Sequence, residues 1–482
     1  MRLDPNRLSW LLALALGVTG LGREGAYAGS AGLMNSVLDA GPDEDEDKDG
    51  ADADADKEAD DGPKWSAVVG GDVYTGTGAV LRGATVLSKD GVITDVGYDL
   101  YIPESAEVLD VAGYRVYPGL VAISSAGLFG SSGSLKDSVN PFNRNMVLAL
   151  ASGLTTAVNG TEAGKLKFGE IEDLVVSENF FTNLSFNNSS PSSKRSLRAK
   201  LSAASKYVRD YREWQQKVKN DKELKEPKTS GVDTNVVAVL RGEKRAVFSS
   251  SARHDLLEIA RLAQKYGFRP VIRGCREGWT VADELGRAGA TAILTARERG
   301  SKDERAERDG GASIENAAKL WRAGVQVAIV SGATGISSLG GIVGRDIIHL
   351  PTEAAFAVRG GLPEAAALEA ITVVPARLIG AEHRLGTIEE GKDADLIVTD
   401  GDVLHYETFV QWAIVDGKVV YDKQSEMYYA HIRPRPETEI APETKVDVGE
   451  SDDEVIPAPE EEAADEEGKD EEGDGNGEGD GE

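Results

Sequence analysis

The clearest pattern in the chain is an alternation of apolar and polar residues, interrupted by glycines, between Trp65 and Val96. Alternation of this kind is typical of strands that bury one face. It predicts short strands at residues 67–69, 72–74, 79–81, 84–87 and 92–96. The folded body is therefore predicted to begin with a β-rich segment.

From residue 118 the pattern changes to short apolar strands that alternate with helical periodicity. Residues 256–263 have the apolar spacing of a helix, and an apolar strand pattern follows at 268–272. This βα alternation predicts a parallel sheet or barrel. A charged helical stretch at 199–226 interrupts the alternation and is predicted to be an insertion between barrel units.

Strand and turn patterning returns after about residue 385, at 395–398 and 413–421. Since β-rich segments flank an α/β body, the two ends are predicted to pair into one small β-domain. The predicted order is a signal peptide at 1–28, an acidic disordered linker at 29–63, the first part of a β-sandwich at 64–117, a barrel at 118–384, the second part of the sandwich at 385–435 and an acidic disordered tail at 436–482.

The N-terminus has the pattern of a secretory signal peptide. Arg2 and Arg7 precede a short apolar run at 8–18, and Ala26 and Ala28 form a small-x-small cleavage site. The protein is therefore predicted to be exported, to a periplasmic or extracellular location, after cleavage behind Ala28. A short N-terminal membrane anchor is the alternative. No other run approaches the roughly 20 apolar residues of a spanning helix, so no integral membrane span is predicted in the mature chain.

The net charge of -29 over 482 residues is concentrated in two segments. Residues 43–61 hold 12 acids against two lysines, and residues 443–482 hold 19 acids against two lysines, which accounts for 27 of the 29 net negative charges. The rest of the chain is almost neutral. This distribution favours two solvated acidic segments and argues against nucleic acid as a partner.

Two smaller features limit the chemistry further. The spacing of Asp45, Asp47, Asp49 and Asp56 matches a calcium-binding loop, but aspartate recurs throughout this linker and no amphipathic helices flank it. A solubilising spacer is therefore favoured over a calcium site. Cys275 is the single cysteine, which excludes an intramolecular disulfide.

The order and the residue sequences of several segments resemble those of the amidohydrolase superfamily, and most of all those of the imidazolonepropionase-like amidohydrolases. The likeness spans roughly residues 65 to 425, and the last two of its five motifs are the most specific. These motifs are YPGLV at 117–121, GLTT at 153–156, GVQVAI at 324–329, AITVVPA at 370–376 and GTIEEGKDADL at 386–396.

The resemblance implies an α/β fold, with a distorted (β/α)8 TIM-like barrel and a composite β-sandwich domain formed by the segments before and after the barrel. It also implies one or two divalent metals, such as zinc, at the carboxyl-end mouth of the barrel. Such metals lower the pKa of a bound water, which then attacks an amide or amidine carbon. The family ligands are a His-x-His on the first strand, two further histidines on middle strands and an aspartate on the last strand.

At each implied ligand position this chain has a different residue. The first-strand pair falls on Ser124 and Ala126, and the last-strand aspartate falls within Ser331 and Gly332. The subfamily's His-Ala-His, on a middle strand, falls on Ser249, Ser250 and Ser251, and the histidine of the next strand falls on Gly274. Neutral hydroxyls and glycine are poor substitutes for imidazole and carboxylate. No metal, no cofactor and no catalytic residue is therefore predicted at this site.

The same positions suggest other uses of a retained pocket. Together with Cys275 they could line a polar, uncharged pocket for a small-molecule ligand, or they could reflect drift to small residues. Cys275 with His254 could form a nucleophile and base, although a small buried cysteine is favoured. Arg273, Arg276 and Glu277 could bring charge to the pocket, with surface salt bridges as the plainer expectation. His349 and His383 are expected to be solvated or helix-capping residues.

The predicted function is that of a catalytically inactive, metal-free amidohydrolase homologue. It would bind a small molecule or act as a partner subunit, in a homo-oligomer or with an active relative. The alternative is an active hydrolase of non-peptide carbon-nitrogen bonds in a cyclic amide or amidine. The substrate cannot be predicted, because βα loops determine it and their chemistry varies freely.

Overall fold

The computed structural model describes residues 62–130, 133–187, 189–219, 221–222, 224–298, 310–336 and 345–426. The chain divides into two compact units, Met1–Asp60 and Asp61–Glu482, and every described residue belongs to the second. The predicted signal peptide at 1–28 and acidic tail at 436–482 lie outside the described residues. So does the predicted linker at 29–63, apart from its last two residues.

The N-terminal β-rich segment forms fewer and longer strands than the sequence predicts. The alternating stretch from 65 to 97 makes three strands instead of five, because Gly71 and Gly83 lie inside strands. Register shifts flank Gly71, where an added Cβ would stand 2.7 Å from a methyl of Val116. The strands are β1 (Trp65–Tyr74), β2 (Val80–Lys89), β3 (Val92–Gly97), β4 (Glu107–Asp110) and β5 (Arg115–Pro118).

A second sheet begins one residue after β5. Its strands are β6 (Leu120–Ser125), β7 (Leu154–Asn159), β8 (Glu162–Lys165) and β9 (Val175–Glu178). The β6 and β7 strands are parallel, and β8 and β9 continue the sheet antiparallel. Gly119 separates β5 from β6, and an added Cβ there would stand 2.1 Å from the hydroxyl of Thr155. Glycine is therefore required where the chain changes sheets.

A third sheet contains five parallel strands in chain order. On one face, Val247, Val271 and Ile293 pack in a core cluster that also contains Ile123 and Val158 of the second sheet. The opposite face packs in a larger cluster together with the helices. The five strands are β10 (Phe181–Asn183), β11 (Arg245–Ser250), β12 (Pro270–Gly274), β13 (Thr291–Leu294) and β14 (Gln326–Ile329).

Helices alternate with these strands. They are α1 (Leu135–Ser138), α2 (Arg144–Ala151), α3 (Pro191–Lys217), α4 (Thr234–Arg241), α5 (Arg253–Tyr266), α6 (Ala282–Arg287), α7 (Asn316–Arg322), α8 (Leu350–Arg359), α9 (Glu364–Glu369) and α10 (Val373–Leu378). The charged helix α3 starts and ends earlier than the predicted 199–226, because Ser190 caps the backbone N–H of Ser193 and Pro191 begins the helix. Within the described residues, every helix is too short or too polar to cross a bilayer.

The C-terminal strands return to the first sheet. They are β15 (Leu396–Thr399), β16 (Val410–Val415) and β17 (Lys418–Asp422). The predicted strand at 413–421 is two strands, because Asp416 and Gly417 have φ of 50° and 73° and form a tight hairpin turn. Antiparallel pairing of β15 with β5 unites strands from both ends of the folded body in one eight-stranded sheet. The predicted α/β class is confirmed.

Candidate functional site

The carboxyl ends of β11 and β12 form the best-defined edge of the parallel sheet. Ser250 of β11 pairs with Gly274 of β12, and the chain then turns through Gly274 and Cys275 at φ of 91° and 46°. A non-glycine residue in the left-handed region costs roughly 1 kcal/mol or more and often marks a functional segment. The N–H of Cys275 donates to the carbonyl of Ser250 at 2.8 Å, which holds this turn against β11.

The structure brings the predicted pocket positions together in two groups. Ser251 lies beside Gly274, so the ends of β11 and β12 meet. Ala126, exposed after β6, donates its N–H to the carbonyl of Thr334 at 2.8 Å, so the ends of β6 and β14 also meet. The other predicted positions are half-buried Ser124, exposed Ser249, buried Ser331 and exposed Gly332.

Neighbouring side chains fill the space next to both glycines. A Cβ added at Gly274 would stand 2.6 Å from Oγ of Ser251, and one added at Gly332 would stand 2.8 Å from Nε of Arg345. Arg345 is held there by a hydrogen bond from Nη2 to the carbonyl of Arg297 at 3.3 Å. A longer side chain at either glycine would have to displace a serine hydroxyl or a guanidinium group.

These side chains do not fit a divalent metal ion. Within the described part of the chain, no three His, Cys, Asp or Glu side chains lie close enough together to hold one. The hydroxyl of Ser331 already donates to the carbonyl of Ala333 at 2.7 Å. Neutral hydroxyls and glycine do not supply the nitrogen, thiolate or carboxylate ligands that zinc requires.

Cys275 packs in the core instead of lining an accessible pocket. The residue is fully buried, and a Cβ added at Gly278 would stand 2.6 Å from its sulfur. Burial raises the pKa of the Cys275 thiol to about 12, so the thiolate is scarce at neutral pH. His254 is exposed in the first turn of α5. This geometry favours the structural interpretation of Cys275 over a nucleophile.

The strand-end edge is charged, whereas the sequence predicts an uncharged pocket. Arg273 lies on the same strand face as Val271, and its guanidinium carbon is 5.4 Å from the ring centroid of Phe181. Its Nε is buried without a hydrogen-bond partner, and burial lowers the pKa of Arg273. Arg273 makes no ion pair with any residue that the structure describes.

Two acidic residues near this turn have different roles. Burial raises the pKa of Glu298, which follows β13, while the positive charge of Arg276 opposes that shift. Contrary to expectation, Glu277 forms no salt bridge with any residue in the described part of the chain. Its carboxylate instead accepts the backbone N–H groups of Arg253 at 2.7 Å and Gly311 at 3.0 Å. Glu277 therefore fixes the start of α5 beside the edge.

A buried ion pair stands behind the ends of β13 and β14. Glu353 of α8 is fully buried, and its Oε1 accepts Nε and Nη2 of Arg297, both at 2.8 Å. His349 is half-buried, and burial lowers its pKa, with Asp346 opposing and Arg297 adding to that shift. His349 occupies the N-cap position of α8, as expected for a capping residue, but its side chain makes no capping hydrogen bond.

A second charged cluster joins β8 to the C-terminal strands. Lys165 is fully buried, and its Nζ contacts Asp393 at 2.7 Å, Asp395 at 3.0 Å and Asp416. Burial opposes a charge on Lys165, but the three carboxylates outweigh it and raise its pKa. Lys167 pairs with Asp416 at 2.6 Å, and Arg384 pairs with Asp393 at 2.8 Å.

This cluster borders a cleft of about 740 Å³, whose lining includes Lys167, Arg384, Asp393 and Asp416. Three cations balance three carboxylates, so the cluster is internally neutral. We interpret it as a structural junction. Sequence reasoning missed Lys165, because Asp393 and Asp395 stand in the GKDADL motif but their lysine partner is 230 residues from Asp395.

By its fold this is an α/β protein whose candidate site lies at the carboxyl ends of parallel strands. Residues 258–427 match the model of the Amidohydrolase family, and this match covers less than half of the 482-residue chain.

Two curated proteins match short segments. "Amidohydrolase tasK" of Hapsidospora irregularis is 35% identical over 95 residues, which is 20% of this chain and 10% of that protein. "N-acetylglucosamine-6-phosphate deacetylase" of Danio rerio is 46% identical over 55 residues, 11% of this chain and 14% of that protein. The matched segments thus cover a small part of each relative.

Among solved structures, an amidohydrolase from Thermotoga maritima is similar with a TM-score of 0.56 and 24% identity. The match covers 74% of this chain and all of that chain. At this level of identity the likeness shows a shared fold, and the function has to be argued from the residues of the site.

Proposed function

We propose that this protein is a catalytically inactive, amidohydrolase-like protein that binds a ligand at the strand carboxyl ends. The observation that carries the proposal is the occupied space beside the two glycines. Ser251 stands against Gly274 and Arg345 stands against Gly332. The resemblance to the imidazolonepropionase-like amidohydrolases implies metal ligands at Ser251, Gly274 and Gly332. A retained scaffold whose metal positions hold hydroxyl groups and glycine, with a guanidinium group beside them, is suited to binding without metal-activated water.

The proposed architecture is a closed barrel with a composite β-sandwich. Two backbone bonds support closure on one side, since Ile371 accepts the N–H of Val121 at 2.9 Å and Ala370 accepts the N–H of Ile329 at 3.0 Å. Residues 370–371 thereby bridge β14 and β6. The eight-stranded sheet built from both ends of the body supports the composite domain.

The alternative is a hydrolase acting on a non-peptide carbon-nitrogen bond of a cyclic amide or amidine. The family match at 258–427 and the local likeness to an amidohydrolase and a deacetylase favour it. Elemental analysis of the purified full-length protein separates the two functions. If the protein is catalytically inactive, it should contain less than stoichiometric zinc, nickel and manganese after dialysis. It should also hydrolyse no cyclic amides when these metals are added. Stoichiometric retained metal with turnover would establish the hydrolase instead.

We further propose export by the signal peptide, and a role as a partner subunit beside an active relative. N-terminal sequencing of the mature protein from its host should begin at Gly29. An N-terminus that retains residues 1–28 would contradict cleavage. Co-purification with a metal-containing relative at fixed stoichiometry would support the partner role, and a monomer in host extracts would contradict it.

A further inference from the structure

The strand-end edge contains a half-buried arginine, Arg273, that makes no ion pair with any residue that the structure describes. Half-buried arginines elsewhere in the described chain are of two kinds. Arg297 pairs with Glu353 at 2.8 Å, Arg384 with Asp393 at 2.8 Å and Arg115 with Asp402 at 3.2 Å, whereas no described residue forms an ion pair with Arg245, Arg345 or Arg377. The guanidinium of Arg273 lies against the ring of Phe181. A desolvated, unpaired cation is unfavourable unless something compensates it.

Arg276 repeats this pattern three residues later. It is half-buried, and its Nε is enclosed without a hydrogen-bond partner, as is Nε of Arg273. Glu298 is close enough to interact electrostatically with Arg276, but the two side chains form no ion pair. Glu277 supplies a second carboxylate beside this turn, so two arginines and two glutamates balance in charge, but neither arginine forms an ion pair with either glutamate.

The two arginines lie on either side of one chain reversal. Arg273 ends the regular part of β12, and the left-handed residues Gly274 and Cys275 reverse the chain before Arg276. Hydrogen bonds from the N–H groups of Cys275 and Glu277 to the carbonyls of Ser250 and Ser251 fix this reversal. Both arginines therefore project from a rigid turn.

The surroundings on the other side of Arg273 are apolar. The Phe181 ring lies against its guanidinium, and Phe180 packs on Phe181 with ring centroids 4.5 Å apart. Val330, just beyond β14, packs on the same core cluster. Phe181 is 5% exposed, so its ring belongs to the core and supports the guanidinium of Arg273.

We propose that this edge binds the oxyanion group, a carboxylate or a phosphate, of a small organic molecule through Arg273 and Arg276. Planar guanidinium groups bind such anions through paired N–H donors, and these charge-assisted bonds are among the strongest in proteins. The proposal rests on the ligand-binding function proposed above and names the class of ligand.

The test is calorimetric titration of the full chain with three probes of similar shape, namely benzoate, phenylphosphate and the neutral benzamide. We expect at least one anion to bind at least about tenfold more tightly than benzamide. The tighter of the two anions identifies carboxylate or phosphate as the preferred group. Equal binding of benzamide and both anions would overturn the oxyanion proposal.

The variant Arg273→Gln should weaken binding of the preferred anion about tenfold or more and leave benzamide unchanged. Arg269→Gln is the matched control, because Arg269 is exposed immediately before the same strand at its opposite end. Unchanged anion binding by a folded Arg273→Gln protein would overturn the proposal. If that variant does not fold, Arg276→Gln makes the same test: weaker anion binding would support the proposal and unchanged anion binding would overturn it.

Failure of this inference can be told apart from failure of the proposed function. Benzamide binding that Ser249→Trp abolishes, without a preference for anions, would retain the binding function and overturn the oxyanion class. Stoichiometric metal with turnover would overturn the proposed function even where Arg273→Gln still weakens anion binding.

Discussion

The Nζ of Lys165 lies 3.0 Å from a carboxylate oxygen of Asp395, although β8 and β15 are far apart in sequence. Both side chains are buried, and Asp393 and Asp416 complete the surroundings of the ammonium group. The same Asp395 oxygen accepts the N–H of Asp416 at 2.9 Å, and the Asp395 carbonyl accepts the N–H of Gly119. One buried cation therefore links the β8 hairpin to the first sheet.

Replacement of Lys165 by methionine should destabilise the protein by roughly 3–5 kcal/mol, because buried carboxylates would lose their main cation. Urea unfolding at pH 7 measures the change. Lys200→Met is the control, since the Lys200 to Asp233 pair at 3.3 Å is largely exposed and should contribute little. Similar losses in the two variants would contradict a structural role for the buried cluster.

The destabilisation caused by Lys165→Met should shrink as the pH falls from 7 to 5. In the wild type, Lys165 and Lys167 outweigh burial and lower the pKa of Asp416. The stability that this lowered pKa contributes is present above the unfolded pKa of about 3.9 and is lost only as the pH falls through the lower folded value. Burial already raises the pKa of Asp395 in the wild type. In the variant, the loss of Lys165 should raise the carboxylate pKa values above their wild-type values, so the folded state binds protons that the unfolded state releases. Paired urea titrations at both pH values measure this. An equal difference from wild type at the two pH values would contradict it.

Substitution of Gly274 by alanine should be more harmful than the same substitution at Gly324. Both glycines have positive φ, 91° and 82°, which costs roughly 1–2 kcal/mol for alanine. A Cβ added at Gly274 would also stand 2.6 Å from Oγ of Ser251, whereas a Cβ added at Gly324 would have no atom within 4 Å. Adding Ser251→Ala to Gly274→Ala should therefore restore the melting temperature to that of Gly324→Ala. No rescue in thermal melts would show that the contact with Ser251 is not limiting.

Glu353→Gln should destabilise the protein by roughly 3 kcal/mol or more, because it leaves the guanidinium of Arg297 without its buried carboxylate. Glu315→Gln makes the same chemical change in an exposed pair with Lys319 and should have little effect. Chemical denaturation of the two variants side by side provides the comparison. A Glu353→Gln protein as stable as Glu315→Gln would refute the argument from burial.

The thiol of Cys275 should resist modification in the folded protein. Its pKa of about 12 and complete burial leave neither thiolate nor access for a reagent. We expect no reaction with a thiol-specific disulfide reagent at pH 8, and one thiol per chain in 6 M urea as the positive control. Rapid stoichiometric labelling of the folded protein would contradict this placement.

The parts of the structure that depend on local pattern were predictable. The α/β class follows from the change of periodicity near residue 118, and α5 follows from the apolar spacing at 256–263. The bounds of the strands near Gly71 and Gly83 were not predictable, because a glycine inside a bulge and a glycine in a loop have the same sequence pattern.

The position of the candidate site at the strand ends is implied by the resemblance and stays a prediction. The charges there could not be predicted, because they depend on contacts between residues that are far apart in sequence. Arg345 stands against Gly332 and Glu353 pairs with Arg297 from 56 residues away, and neither contact has a local motif. The missing counter-ion of Arg273 is likewise a property of the folded chain.

Pairing of β5 with β15 has a consequence for biosynthesis. Arg115 and Thr399, which are paired across these strands, are separated by 284 residues of chain. At 5–20 residues per second a ribosome needs about 15–55 s to make the intervening chain. During that interval the hydrogen-bonding edge of β5 has no native neighbour on its β15 side. The nascent chain therefore passes through a period in which an unpaired strand edge is open to aggregation and to chaperones.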